Sequence, residues 1–148
     1  MKKNRIVVIA MAVLMVFAAV SCKEPEPEHS HVYVNYEVKD GKVIKVCDCG
    51  DFIVVEDSTI VETADGFKDA IKGASKFILV TDDIELSETL TISRDLEINL
   101  NEKSITTKGQ RVLNVTEGEV VLSGKGTIAI SEQGSIASNS SVIRVGDG

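Results

Sequence analysis

The chain has 148 residues, 26% of them charged and 4% aromatic, with no Trp and a formal charge of −7. Three of its 16 basic residues, Lys2, Lys3 and Arg5, lie in an N-terminal leader, so 13 basic residues face 23 acidic ones from Cys22 onward, a balance of −10. Such a surface repels nucleic acid and anionic lipid, which excludes a nucleic-acid partner. The 127 residues from Cys22 to Gly148 suffice for one domain with a modest core.

Residues 1–21 are a signal peptide. A basic opening precedes an unbroken apolar run from Ile6 to Val20, which is shorter than the roughly 20 residues of a membrane-spanning helix and stops at small residues. The ending Ala19-Val20-Ser21-Cys22 resembles the lipobox of bacterial lipoproteins. That resemblance implies cleavage before Cys22, lipidation of its thiol with diacylglyceryl, and a palmitate-type acylated N-terminus. Two or more acyl chains hold a protein stably on a bilayer where one does not. The expected location is therefore the bacterial cell envelope, at the outer membrane or cell surface, with the lipid bilayer as a partner through Cys22. Residues 22–30 follow as a tether, because alternating Pro and Glu from Glu24 to Glu28 form neither a core nor a regular ladder.

Residues 31–62 read as a small β-module. Val32, Val34, Tyr36 and Val38 alternate with Tyr33, Asn35 and Glu37, Asp40-Gly41 supplies a tight turn, and Val43, Ile44 and Val46 form the return strand. A further strand is expected from Phe52 to Val55. The hairpin brings its ends together, which sets His29 and His31 beside Cys47 and Cys49. Two imidazoles and two thiolates suit the tetrahedral coordination of a structural zinc. A disulfide between Cys47 and Cys49, or a pair of free thiols, competes with that reading, since two cysteines remain once Cys22 is lipidated. Cys47-Asp48-Cys49-Gly50 is similar to, and one residue shorter than, the Cys-x-x-Cys-Gly pattern that ends short His/Cys modules of bacterial surface proteins.

Phe67, Ala70, Ile71 and Ala74 recur at i, i+3, i+4 and i+7, which predicts a helix over 63–75, started by Thr63 or Asp65. Beyond it, apolar pairs return in three interleaved columns. Column one is Ile78/Val80, Ile98/Leu100, Val120/Leu122 and the Val142 to Val145 group; column two is Ile84/Leu86, Ile105 and Ile128/Ile130; column three is Leu90/Ile92, Leu113/Val115 and Ile136. Periods of 20 to 23 residues with spacing-two alternation predict a coiled β-solenoid. The fold class expected is mainly β: a right-handed parallel β-helix of about three coils over 63–148, with an N-terminal capping helix, after the small β-hairpin module.

Gly66-Phe67-Lys68-Asp69-Ala70-Ile71 followed by Lys76-Phe77-Ile78-Leu79-Val80, with the later Leu90-Thr91-Ile92 and Leu96-Glu97-Ile98-Asn99-Leu100, resembles the start of right-handed parallel β-helix proteins of the pectin-lyase-like group. That resemblance implies an architecture shared by polysaccharide lyases, hydrolases, phage tail proteins and adhesins. Enzymes of the group commonly bind calcium through acidic residues and use a charged side chain for proton transfer; the nearest candidates are Asp82, Asp83 and Glu85 with Arg94, Arg111 and Arg144. These form no shared column, and no catalytic residue is assigned. From Ile78 to Gly148 there is no His, Cys, Tyr, Trp, Phe or Met, so neither a Ser-His-Asp nor a Cys-His arrangement can be assembled there.

The expected function is that of a membrane-anchored surface lipoprotein, adhesin-like, displaying a β-helix to a polysaccharide or protein ligand. The alternative is the N-terminal fragment of a polysaccharide-active β-helix lyase or hydrolase. Because columns two and three do not restart after Val145, the C-terminal coil is expected to be incomplete. Either a longer protein continues it, or the chain self-associates through that open end.

Overall fold

A computed structural model of the protein describes residues 30–109, 111–131 and 141–146. The expected signal peptide, Cys22, the Pro/Glu run of the expected tether, His29 and Ile136 lie outside the described residues. The first sheet is antiparallel and comprises β1 (Tyr33–Lys39), β2 (Lys42–Cys47) and β3 (Phe52–Val54) in the order β1-β2-β3. Its first turn works because Asp40 and Gly41 both take positive φ, 52° and 73°, the conformation a two-residue hairpin needs. Lys39 therefore faces Lys42 and Tyr36 faces Lys45, until a bulge between Tyr33 and Asn35 shifts the register and brings Tyr33 opposite Cys47.

Strand β4 (Ser58–Val61) leads into α1 (Ala64–Lys72). The Thr63 side chain caps the helix by accepting from the Gly66 N–H at 3.1 Å. At the other end Gly73 N–H donates back to Ala70 and Asp69 carbonyls. The Arg94 guanidinium closes the remaining acceptors, donating to Ala70 O at 2.9 Å, Ile71 O at 3.0 Å and Ser75 O at 2.6 Å. A cation at the carbonyl end of a helix satisfies orphan acceptors and complements the dipole together.

Nine strands follow: β5 (Phe77–Val80), β6 (Ile84–Leu86), β7 (Leu90–Ser93), β8 (Leu96–Asn99), β9 (Ser104–Thr107), β10 (Leu113–Glu117), β11 (Val120–Ser123), β12 (Thr127–Ile130) and β13 (Ile143–Val145). They make three parallel sheets, ordered β11-β8-β5-β4, β12-β9-β6 and β13-β10-β7. Ile78 pairs with Ile98 and Ile98 with Leu122; Ile84 pairs with Ile105 and Ile105 with Ile128; Leu90 pairs with Leu113. One apolar cluster collects Phe67 and Ile71 of the helix with Ile78, Val80, Ile92, Ile98, Ile105 and Leu113.

The fold expectation is corrected on three points. Among the described residues the chain is mainly β with one short helix, but its strands are divided among separate antiparallel and parallel sheets of three or four strands, and they do not form a continuous β-helix. Apolar alternation at spacing two aims side chains to one face and selects parallel partners; it does not dictate that successive strands wind into one coil. A helical N-terminal cap is not seen either. Strand β4 precedes α1 and pairs with β5 as the edge of the four-stranded sheet, while α1 packs on β4, β6 and β7 with Phe67 fully buried. Third, the Val142 to Val145 group belongs beside column three, since Ile143 pairs with Leu113 and Val145 with Val115.

The corners hold the parallel strands close enough that one side chain decides whether they fit. Gly118 has φ +80°, and a Cβ there would lie 2.3 Å from the Arg94 carbonyl carbon and 2.6 Å from Asp95 N. Both contacts are to backbone that cannot swing aside. Gly118→Ala should lower the unfolding free energy by about 3 kcal/mol in urea titrations. Gly41→Asn, at φ +73° with nothing within 4 Å of the added Cβ, should cost less than about 1 kcal/mol, because Asn tolerates that conformation. Equal losses at the two positions would contradict the close approach at Gly118.

Candidate metal centre

The base of the β1-β2 hairpin gathers the chemistry-bearing residues of the described chain. Strand β2 ends at Cys47, and the chain turns back immediately: Gly50 N–H donates to Cys47 O at 2.8 Å and Cys47 N–H to Asp51 O at 2.8 Å. Gly50 takes φ 88°, which lets so short a loop reverse. The turn puts Cys49 at its tip beside His31, which precedes β1, and Tyr33, which opens it.

His31 Nδ1 lies 3.3 Å from Cys49 Sγ, and single donor atoms of His31, Cys47 and Cys49 all lie within 4.8 Å of one another. Cys47 is buried, whereas Cys49 and His31 are exposed, so the group opens to solvent on one side. Both cysteines are free thiols rather than a disulfide. The Cys49 backbone N–H donates to Cys47 Sγ at 3.5 Å, which ties the two cysteines together across the turn. Together His31, Cys47 and Cys49 could hold a metal ion.

Two neighbours went unnoticed in the sequence. Asp51 places Oδ2 3.5 Å from His31 Nδ1, and Tyr33 donates its hydroxyl to that same Oδ2 at 3.0 Å. The Tyr33 ring also stacks on the His31 ring at a centroid distance of 5.9 Å. The hydrogen bond to the Asp51 carboxylate, with the negative charge of Asp51, Cys47 and Cys49 nearby, raises the Tyr33 pKa above its ordinary value. The bulge that sets Tyr33 opposite Cys47 was the missing signal, and a carboxylate two residues past Cys49 reads in sequence as an ordinary turn residue. Of the four expected ligands the structure assembles three; His29 lies outside the described residues.

The charged residues considered for calcium binding and proton transfer are not brought together. Asp83 Oδ1 accepts from Ser104 N–H at 2.7 Å and Asp82 Oδ1 from Asp83 N–H at 2.8 Å, so both serve the corners of the strands. Glu85 pairs with Lys108 at 3.1 Å, Arg94 closes α1, and Arg144 sits in β13 opposite Asn114. Arg111 offers its carbonyl to the Thr89 hydroxyl at 2.9 Å.

No protein-family model, no curated protein and no solved structure matches this chain.

Tyr33 provides a test of the geometry that needs no metal. Its raised pKa means the neutral phenol is the favoured form in the fold, so this contribution to stability is present below pH 10.0, the ordinary tyrosine value, and is lost as pH rises through the folded value. In metal-free protein, absorbance titration of Tyr33 in a Tyr36→Phe background should show ionisation above the ordinary value, and Asp51→Asn should bring it back down. An unchanged titration in Asp51→Asn would contradict the Tyr33 to Asp51 hydrogen bond.

Proposed function

We propose that this chain is a bacterial envelope lipoprotein, held at a membrane surface by acyl chains on Cys22, that acts by presenting its β-rich body for contact with a polysaccharide or protein ligand rather than by catalysis. The observation that carries this reading is the cysteine placed directly after a basic opening, a 15-residue apolar run and Ser21. The Pro/Glu run supports it, since an extended charged segment that forms no core lifts a folded body off the headgroups. The net acidity of the body supports it too, because attachment through acyl chains does not rely on attraction to anionic lipid. Replacement of Cys22 by Ser should move the chain from the detergent-rich to the aqueous phase and abolish incorporation of labelled palmitate. A wild-type chain that is already aqueous and carries no lipid mass would refute the anchor.

The metal group is read here as a structural zinc site. Zinc prefers four tetrahedral ligands drawn from thiolate, imidazole and carboxylate, and His31, Cys47 and Cys49 supply the first three. Across a tetrahedral zinc with S and N ligands the S···N separation is about 3.5 Å, close to the 3.3 Å between Cys49 Sγ and His31 Nδ1. Such a site would tie the start of β1 to the turn between β2 and β3, at a place where His31 and Cys49 are otherwise exposed. Protein purified under reducing conditions should carry about one equivalent of zinc, and chelation should lower its thermal midpoint. Native mass spectrometry should show Cys47→Ser without the ion. Reduced wild-type protein that takes up no zinc on reconstitution would sink this assignment.

A further inference from the structure

Three ligands leave one tetrahedral position to be filled, and the geometry points to the Asp51 carboxylate as the fourth ligand, giving a two-Cys, one-His, one-Asp site with Tyr33 as its positioning residue. This inference rests on the zinc reading above and deepens it. The common vertex is His31 Nδ1, which lies 3.3 Å from Cys49 Sγ and 3.5 Å from Asp51 Oδ2. Around a tetrahedral zinc, nitrogen and carboxylate oxygen ligands stand about 3.3 Å apart and nitrogen and sulfur about 3.5 Å apart. These two edges fit, and a bound ion would draw the other donor atoms inward, since those of His31, Cys47 and Cys49 lie within 4.8 Å of one another before it binds. The His31 to Asp51 separation is also longer than the 2.7 to 3.2 Å of a good N–H···O hydrogen bond, and it is the spacing a shared ion would keep.

Asp51 is held for this role from three sides. Its backbone carbonyl accepts Cys47 N–H at 2.8 Å, so the residue is tied to the ligand it would join. Its Oδ1 accepts Phe52 N–H at 3.0 Å, which orients the carboxylate and leaves Oδ2 toward His31. Tyr33 then donates to Oδ2 at 3.0 Å while its ring stacks on His31, so one side chain positions two ligands. A donor to a ligating carboxylate is the outer-shell partner such sites use. His29, the ligand expected from sequence spacing, becomes unnecessary to the site.

The test is cobalt and zinc binding by protein purified from membranes in detergent, comparing wild type with Asp51→Asn, Asp51→Ala, His29→Ala and Tyr33→Phe. Circular dichroism of each metal-free variant confirms that it remains folded. Wild type should give the intense visible bands of four-coordinate cobalt, and both Asp51 variants should lose that spectrum and bind zinc at least ~100-fold more weakly in chelator competition. Tyr33→Phe should keep the spectrum while weakening zinc by about 10-fold, as expected for a residue acting through Asp51. His29→Ala should match wild type. If the Asp51 variants retain wild-type spectrum and affinity while His29→Ala loses both, Asp51 is not the ligand and His29 is. Wild-type protein that binds neither metal overturns the zinc reading itself, a failure separate from that of Asp51 alone.

Discussion

Strand β5 is the constraint on which the described fold depends, because it is buried on both faces. Phe77, Ile78, Leu79 and Val80 are each at most 5% exposed. Ile78 and Val80 face the main apolar cluster with Phe67 and Ile98, while Phe77 and Leu79 face a second cluster with Val43, Tyr36, Val55 and Ile60. A strand covered on two sides reads as a continuous apolar run, which Phe77 to Val80 is. Burial of each such side chain contributes about 1.5 to 3 kcal/mol, so this one strand stabilises two layers at once. The Tyr36 ring stacks on Phe77 at 4.7 Å, with Lys45 Nζ 4.8 Å from the Tyr36 ring centre. Through these contacts the antiparallel sheet is fastened at β5, and the position of the metal group follows from the hairpin's register.

Polar groups at the corners follow the same economy. Asp83 accepts from Ser104 N–H and Asp95 from Glu119 N–H, each carboxylate meeting backbone at or just before the start of a strand more than 20 residues on. Asn99, only 4% exposed, donates to Ser123 Oγ at 3.0 Å and accepts from Asn101 N–H at 3.0 Å, and the Ser123 hydroxyl in turn donates a hydrogen bond to Glu97 Oε1 at 2.8 Å. Each of these satisfies a donor that would otherwise be lost where a strand ends and the chain turns. In sequence the same Asp, Glu and Arg residues look like stray surface charges or scattered catalytic candidates. In the fold Asp83, Asp95 and Arg94 are closures for backbone groups.

The columns of apolar pairs were legible because parallel pairing at fixed offset leaves a direct mark: Ile78, Ile98 and Leu122 pair in series, as do Ile84, Ile105 and Ile128. Their division into separate sheets was not legible, because alternation reports which face a side chain takes and not how one strand leads to the next. The error at Val142 to Val145 has a different cause. Constant period assumes constant connections, and the connection from Ile130 to Ile143 is far longer than the three or so residues between β10 and β11 or between β11 and β12, so counting from Val120 set the last strand in the wrong column. The continuous apolar run Phe77 to Val80 carries a second sign, since a strand apolar on both faces announces a covering layer on each.

At the hairpin, turn chemistry made half of the site readable. Asp40-Gly41 sets Lys39 against Lys42, and counting back along that register places Tyr33 against Asp48. The structure has Tyr33 against Cys47 instead, because one residue is added at the bulge before Asn35. A slip of one residue exchanges the faces of a strand. Of the apolar face expected on β1, only Tyr36 is half-buried, while Val32, Val34 and Val38 are exposed. The same slip turns Tyr33 and His31 toward Cys47, Cys49 and Asp51, so the bulge that spoils the simple alternation of β1 is what assembles the candidate centre. Bulges favour strand ends and sites where a side chain must be re-aimed. Its place here, two residues after His31 and opposite Cys47, is where a ligand set drawn from the segment before β1 and the turn after β2 would need it.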